Sequence, residues 1–96
     1  PLHHLARASQ AELLPDPGDV FKYCHGRGIG AGVALFYMAW AWLSEHRGNF
    51  PFADRVYQRG MARKAAPVDR LAARYREFQR RMYRRALNAA AASGIT

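Results

Sequence analysis

Histidine and cysteine are side chains that could bind a metal, and their spacing in this chain does not favour a site. His3 is followed directly by His4, and Cys24 by His25. Neighbouring residues on a helix point about 100° apart, so neither pair converges on one ion. His25 and His46 flank an uncharged stretch that contains no histidine, so it offers no axial ligand to a haem or chlorophyll. We therefore predict no metal and no cofactor.

The groups that could perform acid–base or phosphate chemistry are equally dispersed. General acid–base catalysis requires titratable groups held together in a pocket, whereas the seven carboxylates are scattered along the chain. The glycine-rich run at 26–32 lacks the lysine and the Ser or Thr of a phosphate-binding loop. The chain has one cysteine, so it cannot form an internal disulfide. The sequence therefore predicts a protein that is not an enzyme.

The element that dominates the sequence is an uncharged window at residues 28–44, between Arg27 and Glu45. Its seventeen residues reach the lower end of the roughly 17 to 25 that a membrane-spanning helix needs. We predict a transmembrane helix over 20–46; the alternative is a buried helix in the core of a soluble domain. Charged and aromatic residues at the ends of a span are typical of the membrane interface. The residues assigned to that interface are Lys22, Arg27, Tyr37, Trp40, Trp42 and Arg47.

The rest of the chain is predicted to form helical arms around this span. Gly28 and Gly32 form a Gly-x-x-x-Gly pair, which is typical of a helix-packing face in a membrane. The predicted fold class is all-α: a single transmembrane helix, a short N-terminal helix, a long basic amphipathic C-terminal helix and no independent globular core. The predicted segments are an N-terminal arm at 1–19, the transmembrane helix at 20–46, a linker with a short helix at 47–66, the basic amphipathic helix at 67–92 and a tail at 93–96.

The positive charge of the chain is concentrated after the window. The formal net charge is +8, and residues 45–96 hold twelve basic and four acidic residues. Apolar residues recur at spacings of three and four over 67–92, which predicts one apolar helix face beside a cationic one. We predict that this helix docks on acidic protein neighbours or on anionic lipid such as cardiolipin, and we do not favour nucleic acid. The residues assigned to docking are Leu71, Arg74, Tyr75, Phe78, Arg81, Met82 and Arg85.

Residues 26–54 resemble a known family. The features are the Gly-Arg-Gly-Ile run at 26–29, the Met-Ala-Trp-Ala-Trp patch at 38–42, and the Gly-Asn-Phe-Pro-Phe run at 48–52 followed by Asp54. In these the chain resembles the AGGG-type accessory subunit of mitochondrial NADH:ubiquinone oxidoreductase (complex I). The resemblance implies a structural subunit without a redox centre, which supports assembly of the membrane arm together with other subunits of that large membrane complex and is not a stand-alone monomer.

The location that follows is the mitochondrial inner membrane, with a single pass. The excess of basic residues favours a C-terminal arm in the matrix by the positive-inside rule, whereas import by a cleaved presequence with stop-transfer would place it in the intermembrane space. Alternative interpretations remain open at this point. They are an RNA-associated mitochondrial ribosomal protein, with 28–44 buried against protein, or a small subunit of cytochrome oxidase, the bc1 complex, ATP synthase or a photosynthetic complex.

Overall fold

Residues 15–94 fold into four helices that pack around one core. The computed structural model describes residues 15–94, in which the helices are α1 (Pro17–Gly26), α2 (Ala34–His46), α3 (Phe50–Ala62) and α4 (Val68–Ala92). Outside the helices, the described residues form turns and one isolated parallel bridge between Val33 and Ala66. The short helix predicted near the N-terminus and the last two residues of the predicted tail lie outside the described residues.

The uncharged window is not one helix, so the predicted transmembrane helix over 20–46 is wrong. Residues 27–32 form turns that lead to the bridge residue Val33, and in these turns Gly28 and Gly30 take positive φ angles of 76° and 79°. Glycine adopts this conformation without the clash of a Cβ atom, and the backbone therefore leaves the helix here. Helix α2 has 13 residues and is about 20 Å long. Within residues 15–94, no helix combines the length and the apolar character that a membrane crossing requires.

Helix α2 instead lies in the middle of a protein core. Ala34, Tyr37 and Ala41 are fully buried, whereas Leu35 and Trp42 on the other face are 67% and 56% exposed. Burial at spacings of three and four is the pattern of a helix that packs one face against protein. The prediction that the chain has no independent globular core is therefore wrong. The buried cluster consists of Ala34, Tyr37, Met38, Trp40, Ala41, Ala53, Val56, Tyr57, Ala65, Leu71 and Phe78.

Helices α2 and α3 form a hairpin with a tight turn. Gly48 has a φ of 78°, and the Asn49 side chain caps α3 by accepting a hydrogen bond from the Phe52 backbone N–H at 3.4 Å. Pro51 lies in the first turn of α3, where the missing N–H has no helical partner to lose. This combination starts the second helix immediately after the first, so the buried faces of the two helices meet.

The start of α2 is tied to the start of α4 by backbone hydrogen bonds. The Ala66 N–H donates to the Gly32 carbonyl at 2.9 Å, and the Ala34 N–H donates to the Ala66 carbonyl at 2.8 Å. The turn at 27–33 therefore has a structural role of its own, because it supplies one side of the bridge. Helix α4 then runs for 25 residues, within the segment 67–92 for which the sequence predicts a basic amphipathic helix.

Replacing Tyr37 with Phe is expected to destabilise this arrangement by about 1–3 kcal/mol, because the Tyr37 hydroxyl donates a buried hydrogen bond of 2.8 Å to the Ala31 carbonyl. The substitution keeps the ring but leaves the carbonyl without that donor. Urea unfolding followed by circular dichroism measures the change. Tyr23, which is 61% exposed, is the matched control, and Tyr23→Phe should leave the free energy of unfolding almost unchanged. Equal stability of Tyr37→Phe and the wild type would show that this bond adds nothing.

Candidate functional site

Residues 15–94 do not converge on a metal site. No group of three or more His, Cys, Asp and Glu side chains within this range could hold an ion. His3 and His4 lie outside the described residues. The described residues do form defined contacts between helices, and these contacts position the helix surfaces.

An aromatic cluster centred on Trp40 holds α1 against the α2–α3 hairpin. The Trp40 ring stacks on Phe21 of α1 at 6.0 Å between centroids and lies 5.5 Å from Phe52 of α3 in an edge-to-face contact. Trp40 is only 2% exposed, and Tyr37 is fully buried. The prediction that Trp40 and Tyr37 lie at a membrane interface is therefore wrong, because both side chains fill the core between the helices.

The other residues assigned to a membrane interface contact the chain itself. Arg47 forms a bidentate ion pair with Asp16, with both nitrogen–oxygen distances at 2.8 Å. Lys22 lies over the Phe52 ring at 5.8 Å, and this places the ammonium group within reach of the ring face. The remaining contacts are Arg27 over the Tyr23 ring at 5.4 Å and Trp42 against the His46 ring at 3.9 Å.

The two glycines assigned to a helix-packing face lie outside the helices. Gly28 and Gly32 precede α2, and a Cβ atom added at either would meet nothing within 4 Å. They therefore do not mediate a close helix contact. The glycine that does so is Gly60 on α3, where an added Cβ atom would lie 2.6 Å from Cγ of Tyr37. Its only sequence signal is a glycine in the middle of a helical segment, which is often kept for close packing.

Most of the residues assigned to docking on a partner or lipid contact the chain's own hairpin. Leu71 and Phe78 are buried, and the Phe78 ring lies 5.3 Å from Tyr57 of α3. The Tyr75 hydroxyl donates a hydrogen bond of 2.7 Å to Asp54. The remaining four are Arg81, paired with Glu45; Arg85, 4.4 Å above the Phe50 ring; Met82, packed against the core; and Arg74, exposed beside α2.

A bidentate ion pair fastens α4 to the end of α2. Arg81 Nε lies 2.7 Å from Glu45 Oε2, and Nη2 lies 2.8 Å from Oε1. The hydrogen bond from Arg81 lowers the pKa of Glu45 below its ordinary value of 4.5, against the opposing effect of burial. A carboxylate whose pKa is lower in the folded state contributes stability above its ordinary pKa, and this contribution is lost as pH falls through the folded-state value.

We expect Glu45→Gln to lower the free energy of unfolding at neutral pH by about 0.5 kcal/mol, since Arg81 remains 45% exposed and solvent screens the pair. The advantage of the wild type should begin to fall as the pH drops below about 4.5 and should be gone below the lowered folded-state pKa, where the free energies of unfolding of the two proteins converge. Urea unfolding over a series of pH values measures the difference. Glu77→Gln, at an exposed position on α4, is the control. A difference between wild type and Glu45→Gln that persists unchanged in acid would contradict this assignment.

Comparison with known proteins decides the family. The family model described as Mad3/BUB1 homology region 1 matches residues 6–61, more than half of the chain. The chain belongs to the Mad3/BUB1 homology region 1 family. The match includes α1, α2 and nearly all of α3. It therefore covers the Trp40 cluster and the hairpin but ends before α4.

Curated relatives of this Mad3/BUB1 family member are checkpoint proteins. The chain is 43% identical over 75 residues to the mitotic checkpoint serine/threonine-protein kinase BUB1 beta of Homo sapiens, covering 78% of this chain and 7% of that protein. It is 35% identical over 68 residues to the mitotic spindle checkpoint component mad3 of Schizosaccharomyces pombe, covering 71% of this chain and 22% of that protein. The chain thus spans only a small part of these relatives.

A solved structure has the same fold. A chain in a crystal structure of the mitotic checkpoint complex aligns with a TM-score of 0.68 and 32% identity, covering 77% of this chain and 34% of that chain. With the family match, this likeness overturns the resemblance to a complex I accessory subunit and the location in the mitochondrial inner membrane. The predicted membrane-complex partners, the cardiolipin contact, the placement of the C-terminal arm in the matrix and the ribosomal, respiratory and photosynthetic alternatives are likewise wrong.

Proposed function

We propose that this chain is a helical, non-catalytic module that acts in the mitotic spindle checkpoint by taking part in a multi-protein checkpoint complex. The observation that carries the proposal is the likeness, in both sequence and fold, to a chain of a mitotic checkpoint complex. Membership of the Mad3/BUB1 family, whose curated relatives bear mitotic checkpoint names, supports it independently. The partners of those relatives are properties of much longer proteins, so the proposal concerns the class of assembly and not a specific neighbour.

The chemistry of the described surface agrees with a module that binds other proteins. Residues 15–94 contain no candidate metal cluster, and contacts such as the Arg81–Glu45 ion pair and the Trp40–Phe52 ring pair join one helix to another. Some relatives are named as kinases, but the chain matches 7% of their length. We expect the purified chain, incubated with ATP, Mg²⁺ and a generic protein substrate, to transfer no phosphate above the buffer control. Transfer that follows the chain through purification would contradict the non-catalytic part of the proposal.

A cellular test of the proposal uses the complete protein that carries this chain, in its own cells. Cells are treated with a drug that depolymerises microtubules, and the duration of mitotic arrest is measured. We expect cells lacking the protein, and cells carrying Trp40→Ala, to leave mitosis early. Cells carrying Trp42→Ala should arrest like the wild type, because Trp42 is 56% exposed and outside the core. If cells lacking the protein arrest as long as the wild type, the checkpoint function is excluded.

A further inference from the structure

The second half of α4 continues after its packing face has ended. Leu71 and Phe78 are its buried residues, and Met82 is the last to pack against the core. All residues from 83 to 89 are exposed, including Tyr83 at 68% and Leu87 at 52%. A helical segment as short as residues 83–89 would be only marginally stable in water by itself, even with good helix formers. Arg85 of this segment lies over the Phe50 ring of α3, but on another face Tyr83 and Leu87 stand exposed to solvent.

The exposed face has a regular composition. Arg76, Arg80, Tyr83 and Leu87 follow one another at spacings of four, three and four, so they form one stripe along the helix. Gln79 and Arg84 flank this stripe, and the six side chains line an open groove of about 490 Å³. The basic stripe is defined here as Arg76, Gln79, Arg80, Tyr83, Arg84 and Leu87. A spacing of four and three is the one that lets a second helix pack alongside.

The charges of the basic stripe are not compensated within the described part of the chain. In residues 15–94 the ion pairs are Arg47 with Asp16 and Arg81 with Glu45. Arg76, Arg80 and Arg84 therefore have no carboxylate partner there, on a chain whose net charge is +8. Three like charges on one helix face repel one another, and a partner that brings carboxylates to them relieves this repulsion.

We propose that the basic stripe is a binding site for an acidic amphipathic helix of a partner protein. Tyr83 and Leu87 contact apolar side chains of that helix, and the three arginines pair with its Asp and Glu residues. The match of the family model ends at residue 61, before the first residue of this surface. The inference therefore adds a site to the proposed checkpoint function and does not depend on it.

Two other polyanions fit the stripe less well. Single-stranded nucleic acid is bound by several exposed aromatic rings, but here Phe78 is buried and the Tyr75 hydroxyl is held by Asp54. Only Tyr83 among the aromatic residues of α4 is left for stacking. A membrane surface requires a broad apolar helix face, whereas the broad apolar face of α4 is used by the core. An acidic helix needs only the narrow stripe that α4 exposes.

Fluorescence anisotropy with the complete chain tests the site. The probe is a labelled helical peptide with Leu at heptad positions a and d and Glu at e and g. We expect the triple variant Arg76→Glu, Arg80→Glu and Arg84→Glu to bind it at least about tenfold more weakly. The matched control is Arg55→Glu and Arg59→Glu on α3 together with Arg63→Glu at the residue after it, which changes the net charge equally at exposed positions away from the basic stripe. It should weaken binding by less than about threefold.

Variants of the apolar residues of the stripe distinguish specific binding from a general attraction between opposite charges. Tyr83→Ala and Leu87→Ala leave the charge unchanged, and each should weaken binding of the peptide several-fold. Circular dichroism confirms that every variant remains folded. Equal loss in the two triple variants, no effect of Tyr83→Ala and Leu87→Ala, or tighter binding of a single-stranded RNA oligonucleotide than of the peptide would overturn the proposal.

Photo-crosslinking identifies the natural occupant in cells. A benzoylphenylalanine replaces Leu87 in the complete protein, with Gln58 on the exposed face of α3 as the control position. The expected product is a crosslink, above the Gln58 level, to a segment rich in Asp and Glu with apolar residues at helical spacing. Crosslinking to nucleic acid, to lipid or to a second copy, or no product above the control, would contradict the inference. The checkpoint function is measured separately by mitotic arrest, so the two can fail independently.

Discussion

Trp40→Ala is expected to lower the free energy of unfolding by about 3–5 kcal/mol, the range for removing a large buried aromatic side chain. The ring is 2% exposed and joins α1, α2 and α3 through Phe21, Phe36 and Phe52. Its removal leaves a cavity that three helices line. A domain of this size has roughly 5–10 kcal/mol of total stability, so this one substitution removes a large fraction of it. Urea unfolding followed by circular dichroism measures the loss.

Trp42→Ala is the matched control for this prediction. Trp42 lies two residues away on the same helix, but 56% of its surface is exposed, and its neighbour in the structure is His46. We expect this variant to lose less than about 1 kcal/mol. A loss of similar size in the two variants would contradict the helix orientation described above, in which Trp40 faces the core and Trp42 faces outward.

Gly60→Val is expected to be the second severely destabilising substitution, at about 3 kcal/mol. A Cβ atom at this position would lie 2.6 Å from Cγ of Tyr37 and 2.9 Å from Cδ2 of Leu71. Both contacts are far inside van der Waals distance, and both partners are fully buried and cannot move aside. The steric loss therefore exceeds the gain of up to about 1 kcal/mol from removing glycine from a helix interior. Thermal and urea unfolding measure the net change.

Gly26→Val at the end of α1 is the control for Gly60, since an added Cβ atom there would meet nothing within 4 Å. We expect its effect to stay within about 0.5 kcal/mol. Wild-type stability of Gly60→Val would mean that α2, α3 and α4 do not approach one another at this residue. The packing of α4 on the hairpin would then be wrong as described.

The helical character of the chain could be predicted from local signals, whereas the environment of α2 could not. The stripe through Leu71, Tyr75 and Phe78 has the spacing of a packed helix face, and the structure has a helix there. The window at 28–44 has the length and aromatic content of a span, but the same residues suit a core helix that follows a turn. The signal that decides between them is the alternating glycines, because Gly28 and Gly30 take left-handed backbone angles.

The surface that covers the buried face of α4 could not be predicted either. It is the face of α3 made of Ala53, Val56, Tyr57 and Gly60, which are mostly small and are separated by arginines and a glutamine. Such a face resembles a polar linker, so the sequence interpretation assigned Leu71 and Phe78 to another molecule. The ion pairs Asp16–Arg47 and Glu45–Arg81 join residues 31 and 36 positions apart, and no local pattern specifies such pairs. The proposed function was hidden for a related reason, because protein binding requires no catalytic motif that the sequence could display.

The proposed checkpoint function is tested most sharply by asking whether the complete protein is part of a checkpoint complex in cells arrested in mitosis. A detergent-free extract is cleared of membranes and separated by size-exclusion chromatography, and the fractions are identified by mass spectrometry. We predict that the wild type and Trp42→Ala elute at high mass together with other mitotic checkpoint proteins and that Trp40→Ala is lost from those fractions. Removal of the wild-type protein with the membranes, or its elution apart from every checkpoint protein, would contradict the proposed function.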